Sequence, residues 1–417
     1  MKTIGIIAEF NPFHNGHKYL IDHCKRALSA DRVVIVMSGD YVQRGAPAIT
    51  DKFTRTRMAL NCGADLVLEL PIYYSLGSAE YFAEGAISIL DKLGCIDYLC
   101  FGSESPDPER LQELADILSL EPALFKKTLE KCLKDGDSFP LARKKALDAV
   151  LISTGRDASS EDTTDVLTAP NNILAIEYLR SLKRRKSSIK PYIIQRIGQP
   201  YHSDTTAEIP SASSLRALLL SNGGYDSKSH APEILKGMVP LEAAASLVTA
   251  PGNLLNVNDF SDLLYYKLVM EKDRGYTRYL DVNRDISNRL VKSMSLCDGF
   301  SSFCELMKTR NLVYTRVSRC LMHIMLDITE ENMSAYKKDG FTAYARVLGM
   351  KKDSSDLPGA IHDKGSIPLI DRLKDAGKLL SPLQLQLLEE TLKASEVYSL
   401  VSNAGISGEY SLKQIIL

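Results

Sequence analysis

"TIGIIAEFNPFHNGHKYLI", residues 3–21, joins a short apolar, β-branched run to a helical pattern through a turn that holds two histidines and a glycine. The run has the length of a strand, and apolar residues recur at helical spacing over 16–29. Further strand-like runs stand at 31–39 (DRVVIVMSG), 65–71 (DLVLELP), 96–104 (IDYLCFGSE) and 191–198 (PYIIQRIG). Helical patterns separate the early runs. One spans 51–62, with Thr50 or Asp51 as cap and Gly63 behind it; the next spans 78–93, with Ser78 as cap and Gly94 behind it. Strand and helix alternating in this way predict an α/β fold with a parallel, doubly wound sheet whose strands are apolar on both faces.

Between the fourth and fifth runs the spacing predicts helices at 106–120, 121–135, 139–154 and 171–186, a mostly helical insertion over about 105–188. A helix within 209–224 closes on a double glycine, and strand-like runs then become scarce. We place a boundary near residue 225: an α/β domain over 1–224 and a mostly helical domain over 225–417, with helices at 258–272, 314–328 and 382–395. The Gly, Pro, Ser and Asp content of 351–368 reads as a loop.

The chain of 417 residues is long enough for two or three domains, and 45% hydrophobic with 25% charged residues is an ordinary globular composition. A formal charge of -1 hides basic stretches at 180–190 (RSLKRRKSSIK) and 307–320 (MKTRNLVYTRVSRC), each a solvated helix face or a contact for an anionic partner such as RNA. Eight cysteines with no CxxC pair suggest buried thiols in a reducing compartment, not a zinc ribbon or a disulfide framework. No apolar run approaches the roughly 18 residues of a membrane span, so a cytosolic protein without membrane contact is expected.

The histidine turn falls where the first strand hands over to the first helix, at the sheet edge where ligands of open parallel sheets bind. Unpartnered helix amides and the positive end of the helix dipole favour an anion there. Gly16 presents no side chain to an approaching base or ribose, and His14 and His17, three apart, project to one side as donors to phosphate oxygens. Neither GxxxxGK[ST] nor GxGxxG occurs, and the zinc pattern HExxH is missing, so no metal site is expected.

"FNPFHNGHKYL" resembles the HxGH signature of the nucleotidyltransferase superfamily, and "IPSASSLR" (209–216) is similar to its ISSTxIR companion, offering Ser211, Ser213, Ser214 and Arg216. Along nearly its whole length the chain resembles the bacterial tRNA(Met) cytidine acetate ligases, through "GIIAEFNPFHNGHKYLI", "VIVMSGDYVQRGAPAITDKFTRTRMAL", "GADLVLELP", "FGSES", "PNNILAIEYL", "IQRIG", "SASSLR" and "YTRVSRCLMHIML". The resemblance implies a Rossmann-like catalytic domain followed by a helical region that contacts tRNA. It also implies that ATP activates acetate as acetyl-adenylate, and that the acetyl group passes to N4 of the wobble cytidine of elongator tRNA(Met), giving N4-acetylcytidine. Adenylyl transfer to a small phosphorylated acceptor is the alternative.

By resemblance, the ATP site comprises Ile7, Ala8, Glu9, Phe10, Asn11, Pro12, Phe13, His14, Asn15, Gly16, His17, Lys18, Tyr19 and Leu20, together with Gly102, Asn171 and Arg196. His14 and His17 are assigned to the α-phosphate and Arg196 or Arg216 to the pyrophosphate side. Asn171 reads base or ribose, or else caps a helix. No permanently bound cofactor is implied, ATP being a substrate; magnesium use and oligomeric state are left open. Asp40, Gln43, Arg44, Lys52, Arg55 and Arg57 are candidates for the acetate or tRNA entrance, with a turn and a solvated amphipathic helix as the plainer reading. "VKSMSL" (291–296) is read as a helix segment, not as a KMSKS loop.

Overall fold

A computed structural model describes residues 1–105, 107–137, 139–155, 166–196, 211–221, 227–405 and 408–417. The end of the fifth strand-like run, the start of the second motif and the double glycine lie outside these residues.

Five strands run parallel: β1 (Thr3–Ala8), β2 (Arg32–Ser38), β5 (Leu66–Leu70), β6 (Tyr98–Ser103) and β7 (Lys190–Gln195). Between β2 and β5 a small antiparallel hairpin, β3 (Tyr41–Val42) with β4 (Ala46–Pro47), stands off the sheet. Side chains alternate across each strand, and both sides are buried. Val34 and Val36 of β2 join one apolar cluster with Leu66, Leu68 and Leu70, while Val33, Ile35 and Met37 join a second with Val67. Such strands must be apolar throughout, which is why they read as continuous runs.

Helices Asn15–Ala27, Lys52–Asn61 and Ala212–Ser221 cover the second cluster; Ala79–Lys92 and Pro170–Arg185 cover the first. Asp51 and Ser78 are the caps, and Gly94 takes a φ of 68° with its backbone against Lys364 O, where an added Cβ would lie 2.2 Å from that oxygen. The insertion forms helices Pro108–Leu120, Ala123–Lys134 and Phe139–Ser153. Residues 291–296 complete the helix Arg284–Ser293 and its 3-10 extension.

The position near residue 225 falls within 222–226, outside the described residues. Apolar packing continues across it: Leu235 and Leu247 join the same cluster as Leu215 and Leu219. The chain then becomes mostly helical but returns to the sheet. β8 (Ala345–Met350) pairs antiparallel with β5, and β9 (Leu369–Ile370) and β10 (Ile415–Ile416) pair with β8. The pattern did not reveal β8 because Arg346 interrupts a short apolar run. The segment 351–368 is also not simply a loop: Asp356–Lys364 is helical, with Leu357 and Ile361 buried one turn apart and Pro358 in the first turn, where its missing N–H costs nothing.

The sheet order β10-β8-β5-β2-β1-β6-β7 defines the site. From β1 the chain builds outward through β2 and β5 on one side, then crosses to β6 and β7 on the other. The carboxyl ends of β1 and β6 therefore flank a topological switch point, the crevice where such sheets bind ligands.

Candidate active site at the carboxyl edge of the sheet

Beyond Ala8 the backbone turns sharply, with Phe10 in the left-handed region (φ 48°) and a cis bond between Asn11 and Pro12. Phe10 and Phe13 are buried, and their rings lie 4.9 and 5.5 Å from that of His17. His14 is the N-cap of helix Asn15–Ala27, its Nδ1 accepting from Gly16 N at 3.1 Å. His17 completes the box, its Nδ1 accepting from His14 N at 3.2 Å. The two imidazoles stack with centroids 3.7 Å apart and planes 25° from parallel.

This capping sets the chemistry of both rings. A nitrogen that accepts from an amide carries no proton, so each neutral ring holds its proton on Nε2, at the corner away from the amide. Burial, assisted by the Arg196 charge, pushes His14 down to about 4. Burial, then His14 and Arg196, hold His17 well below the usual histidine range. At neutral pH the pair therefore offers two uncharged N–H donors at the positive end of a helix.

The turn is pinned from several directions. Asn11 Oδ1 accepts from Ile49 N at 2.7 Å, and Asn11 O accepts from Arg216 Nη1 at 2.7 Å. Arg216 also donates to Ser213 Oγ at 3.0 Å, so the second motif closes directly on the first. Asn15 Nδ2 donates to Gly237 O at 2.8 Å. Arg55, wholly buried, donates to Glu9 O (2.7 Å), Ser38 O (3.0 Å) and Gly39 O, tying together the carboxyl ends of β1 and β2. Glu9 Oε1 accepts from Gln43 N at 2.8 Å, and burial raises its carboxyl above the usual range.

The facing wall comes from β6, β7 and helix Pro170–Arg185. A Cβ at Gly102 would lie 2.9 Å from Arg196 Cγ, so the glycine is what lets that side chain cross β6. Arg196 Nη1 donates to Asn171 Oδ1 at 3.2 Å, and Asn171 Nδ2 donates to Glu104 Oε1. Gly102, Asn171 and Arg196 are thus brought together as expected. Capping is not the role of the Asn171 side chain: Ala169 is the N-cap, and the Glu104 carboxylate accepts from Asn171 N (3.3 Å) and Asn172 N (2.9 Å). Asn172 Oδ1 in turn accepts from Ser103 Oγ, Glu104 N and Ser105 N. The sequence reading missed Glu104 and Asn172; the available signal was a helix start, "PNN", preceded directly by Ala169 and not by Ser, Thr or Asp.

Other expected residues point elsewhere. Lys18 pairs with Asp22, Tyr19 lies against His23, and Leu20 packs on the second apolar cluster. Ile7 packs on the first cluster. Lys52 is not solvated: it is 1% exposed, with Nζ 2.6 Å from both Glu69 and Glu409 and 3.8 Å from Asp40. Asp40, pushed up to about 6 by burial against the pull of Lys52, accepts from Lys52 N. The strip 180–190 is largely neutralised: Arg180 pairs with Glu177, Lys183 with Asp116, Arg184 with Glu80 and Glu84, and Arg185 with Glu84. Among the described residues no cluster of His, Cys, Asp or Glu is placed to hold a metal ion, and no helix is long and apolar enough to cross a membrane.

A parallel sheet with stacked, capping histidines after β1 and a Ser/Arg helix closing on them defines a nucleotidyltransferase of the HxGH class, and residues 1–411 match the family described as HIGH Nucleotidyl Transferase. The tRNA(Met) cytidine acetate ligase of Acetivibrio thermocellus is 37% identical over 95% of this chain and 94% of its own; that of Halothermothrix orenii is 37% identical over 96% and 95%. The chain belongs to the tRNA(Met) cytidine acetate ligase family. In structure it superposes on Thermotoga maritima TmcAL bound with alpha-thio ATP at a TM-score of 0.89, and on the apo form at 0.91, at 27% identity over the full length of each chain.

Proposed function

We propose that the corner between β1 and β6 activates acetate with ATP and that the chain passes the acetyl group to N4 of the wobble cytidine of elongator tRNA(Met). Membership of an ATP-dependent, tRNA-modifying ligase family supports the reading. One observation carries it: both histidine Nδ1 atoms are occupied by backbone amides, leaving two neutral Nε2–H donors at a helix N-terminus on the switch point. An acetate oxygen attacks the α-phosphorus, the bond to the β-phosphate oxygen breaks, and pyrophosphate leaves. Charge grows on the α-phosphoryl oxygens during this displacement, and preorganised donors contribute most there. Arg196, whose charge acts on both histidines, and Arg216, bonded to Asn11 O, are the cations for the departing pyrophosphate. The cytidine amine then attacks the acetyl carbonyl, the acyl–phosphate bond breaks, AMP leaves, and the amine gives up a proton.

The test is exchange of labelled pyrophosphate into ATP across a panel of carboxylic acids, followed by transfer of labelled acetyl to a tRNA pool and mapping of the labelled nucleotide. Exchange should require acetate, and label should settle on one cytidine. His17→Ala should abolish exchange while leaving tRNA affinity within about twofold. Acid-independent adenylation of pantetheine phosphate or nicotinate mononucleotide would sink the reading.

A further inference from the structure

An RNA acceptor must present its reacting nucleotide at the carboxyl edge of the sheet, so its flanking phosphates must lie there too. The strip at 180–190 does not meet that demand. Lys190 opens β7 at the amino edge, a strand length of roughly 20 Å from the histidines, and four of the five cations before it, all but Lys186, are held in ion pairs.

The carboxyl edge carries a different set of cations. The turn of the β3–β4 hairpin is held on one side by the bond from Gln43 N to Glu9. On its other side it lies on helix Tyr314–Met325. Gly45 has a φ of 78°, and an added Cβ would lie 2.5 Å from Arg319 N; Ser318 Oγ donates to Gly45 O at 2.6 Å. Arg319 reaches Gln43 O at 3.5 Å. Arg44, between these two clamped residues, is exposed at the tip. Arg316 lies one turn before Arg319 on the same helix face and is part-exposed. None of the three forms an ion pair with a carboxylate among the described residues; Asp281 acts on Arg319, and Glu9 on Arg44, only at longer range. Burying or clustering unneutralised arginines beside one another is unfavourable in the free protein, and a polyanion relieves it.

We propose that Arg44 and Arg316, with the hairpin braced from below by Arg319, form the surface that receives the RNA backbone flanking the acceptor nucleotide. This rests on the reading of the chain as a tRNA acetylating enzyme, but its test does not depend on turnover. Binding of bulk tRNA is measured directly against salt concentration for the wild type, Arg44→Glu, Arg316→Glu, Arg44→Lys and the control Lys183→Glu, alongside acetate-dependent pyrophosphate exchange and a thermal melt. Each Glu variant should weaken binding about tenfold or more and lower the salt slope by about 0.7–0.9 for each phosphate no longer neutralised. Melting temperature should hold in both Glu variants and exchange should hold in Arg316→Glu, Arg44→Lys should recover the slope, and Lys183→Glu should bind like wild type. Binding within twofold of wild type in both Glu variants, a large loss in Lys183→Glu, or no tRNA binding by the wild type would each overturn the surface. Intact tRNA binding without acetate-dependent exchange would overturn the functional reading instead and leave the surface standing.

Discussion

The Nδ1 of His14 accepts the bond from Gly16 N only while the ring stays neutral, and the fold enforces that state. Its folded value of about 4 lies below the ordinary 6.5, so the unfolded chain takes up the proton first. The stabilising effect is fully present above pH 6.5 and is lost as pH falls toward 4, amounting to about 2 kcal/mol between pH 7.5 and 5. His14→Asn keeps a cap acceptor and removes the titration. Urea unfolding across that window should show a shallower acid loss in the variant; an identical loss would refute the assignment. Gly102→Ala addresses the facing wall: the new Cβ meets a flexible arginine stem, so Arg196 should move off Asn171. ATP affinity should fall about tenfold with a melting temperature near wild type, as read by calorimetry. At this scale the histidines were legible because their spacing and place after a strand have a chemical meaning. The second partners, Glu104 and Asn172, were not, because each holds backbone amides distant in sequence: Glu104 those at the start of the helix, Asn172 those of Glu104 and Ser105.

Elements place these side chains through their ends. Helix Pro170–Arg185 begins without a capping side chain of its own and takes the Glu104 carboxylate instead, negative charge against the positive helix end. Glu104→Gln weakens that contact and loosens Asn171 beneath Arg196. The expected outcome is a loss of about 1 kcal/mol in denaturant unfolding, with a rise in KM for ATP larger than any fall in kcat. A stability loss with unchanged KM would mean that Glu104 caps the helix and does nothing for the site. The parallel strands were legible because two-sided burial leaves continuous apolar runs. β8 was not, since it enters antiparallel at the edge of β5 with a charged residue, Arg346, second in the strand. The helix over 356–364 was hidden by a proline and a glycine that the first turn tolerates.

The whole molecule is tied together by charges that composition gives no reason to bury. Lys52 and Glu69, from the α/β half, meet Arg346, Ser395 and Glu409. Arg346 Nη1 lies 2.6 Å from Glu69, its Nη2 pairs with Glu409, and Lys52 Nζ donates to Ser395 Oγ at 2.8 Å. Lysine and arginine are among the residues least often fully buried, so binary patterning reads such positions as surface. Lys52 and Glu69 pair with each other and each also with a partner from the other half of the chain, Glu409 and Arg346, and removing one side of a buried pair costs about 3–5 kcal/mol. Residues 1–224 alone would also bare the edge of β5 and the apolar face formed by Tyr73, Tyr74 and Phe82. That fragment should therefore show no cooperative urea transition and no rise in melting temperature with ATP. Arg346→Met in the full chain should destabilise by an amount in the same range, and Arg346→Met with Glu409→Gln by less than the sum of the two single changes, because the second removes the charge that the first leaves unpaired. A fragment that unfolds cooperatively and is stabilised by ATP would show that the sheet closes without β8, and that the buried charges join two independent folding units.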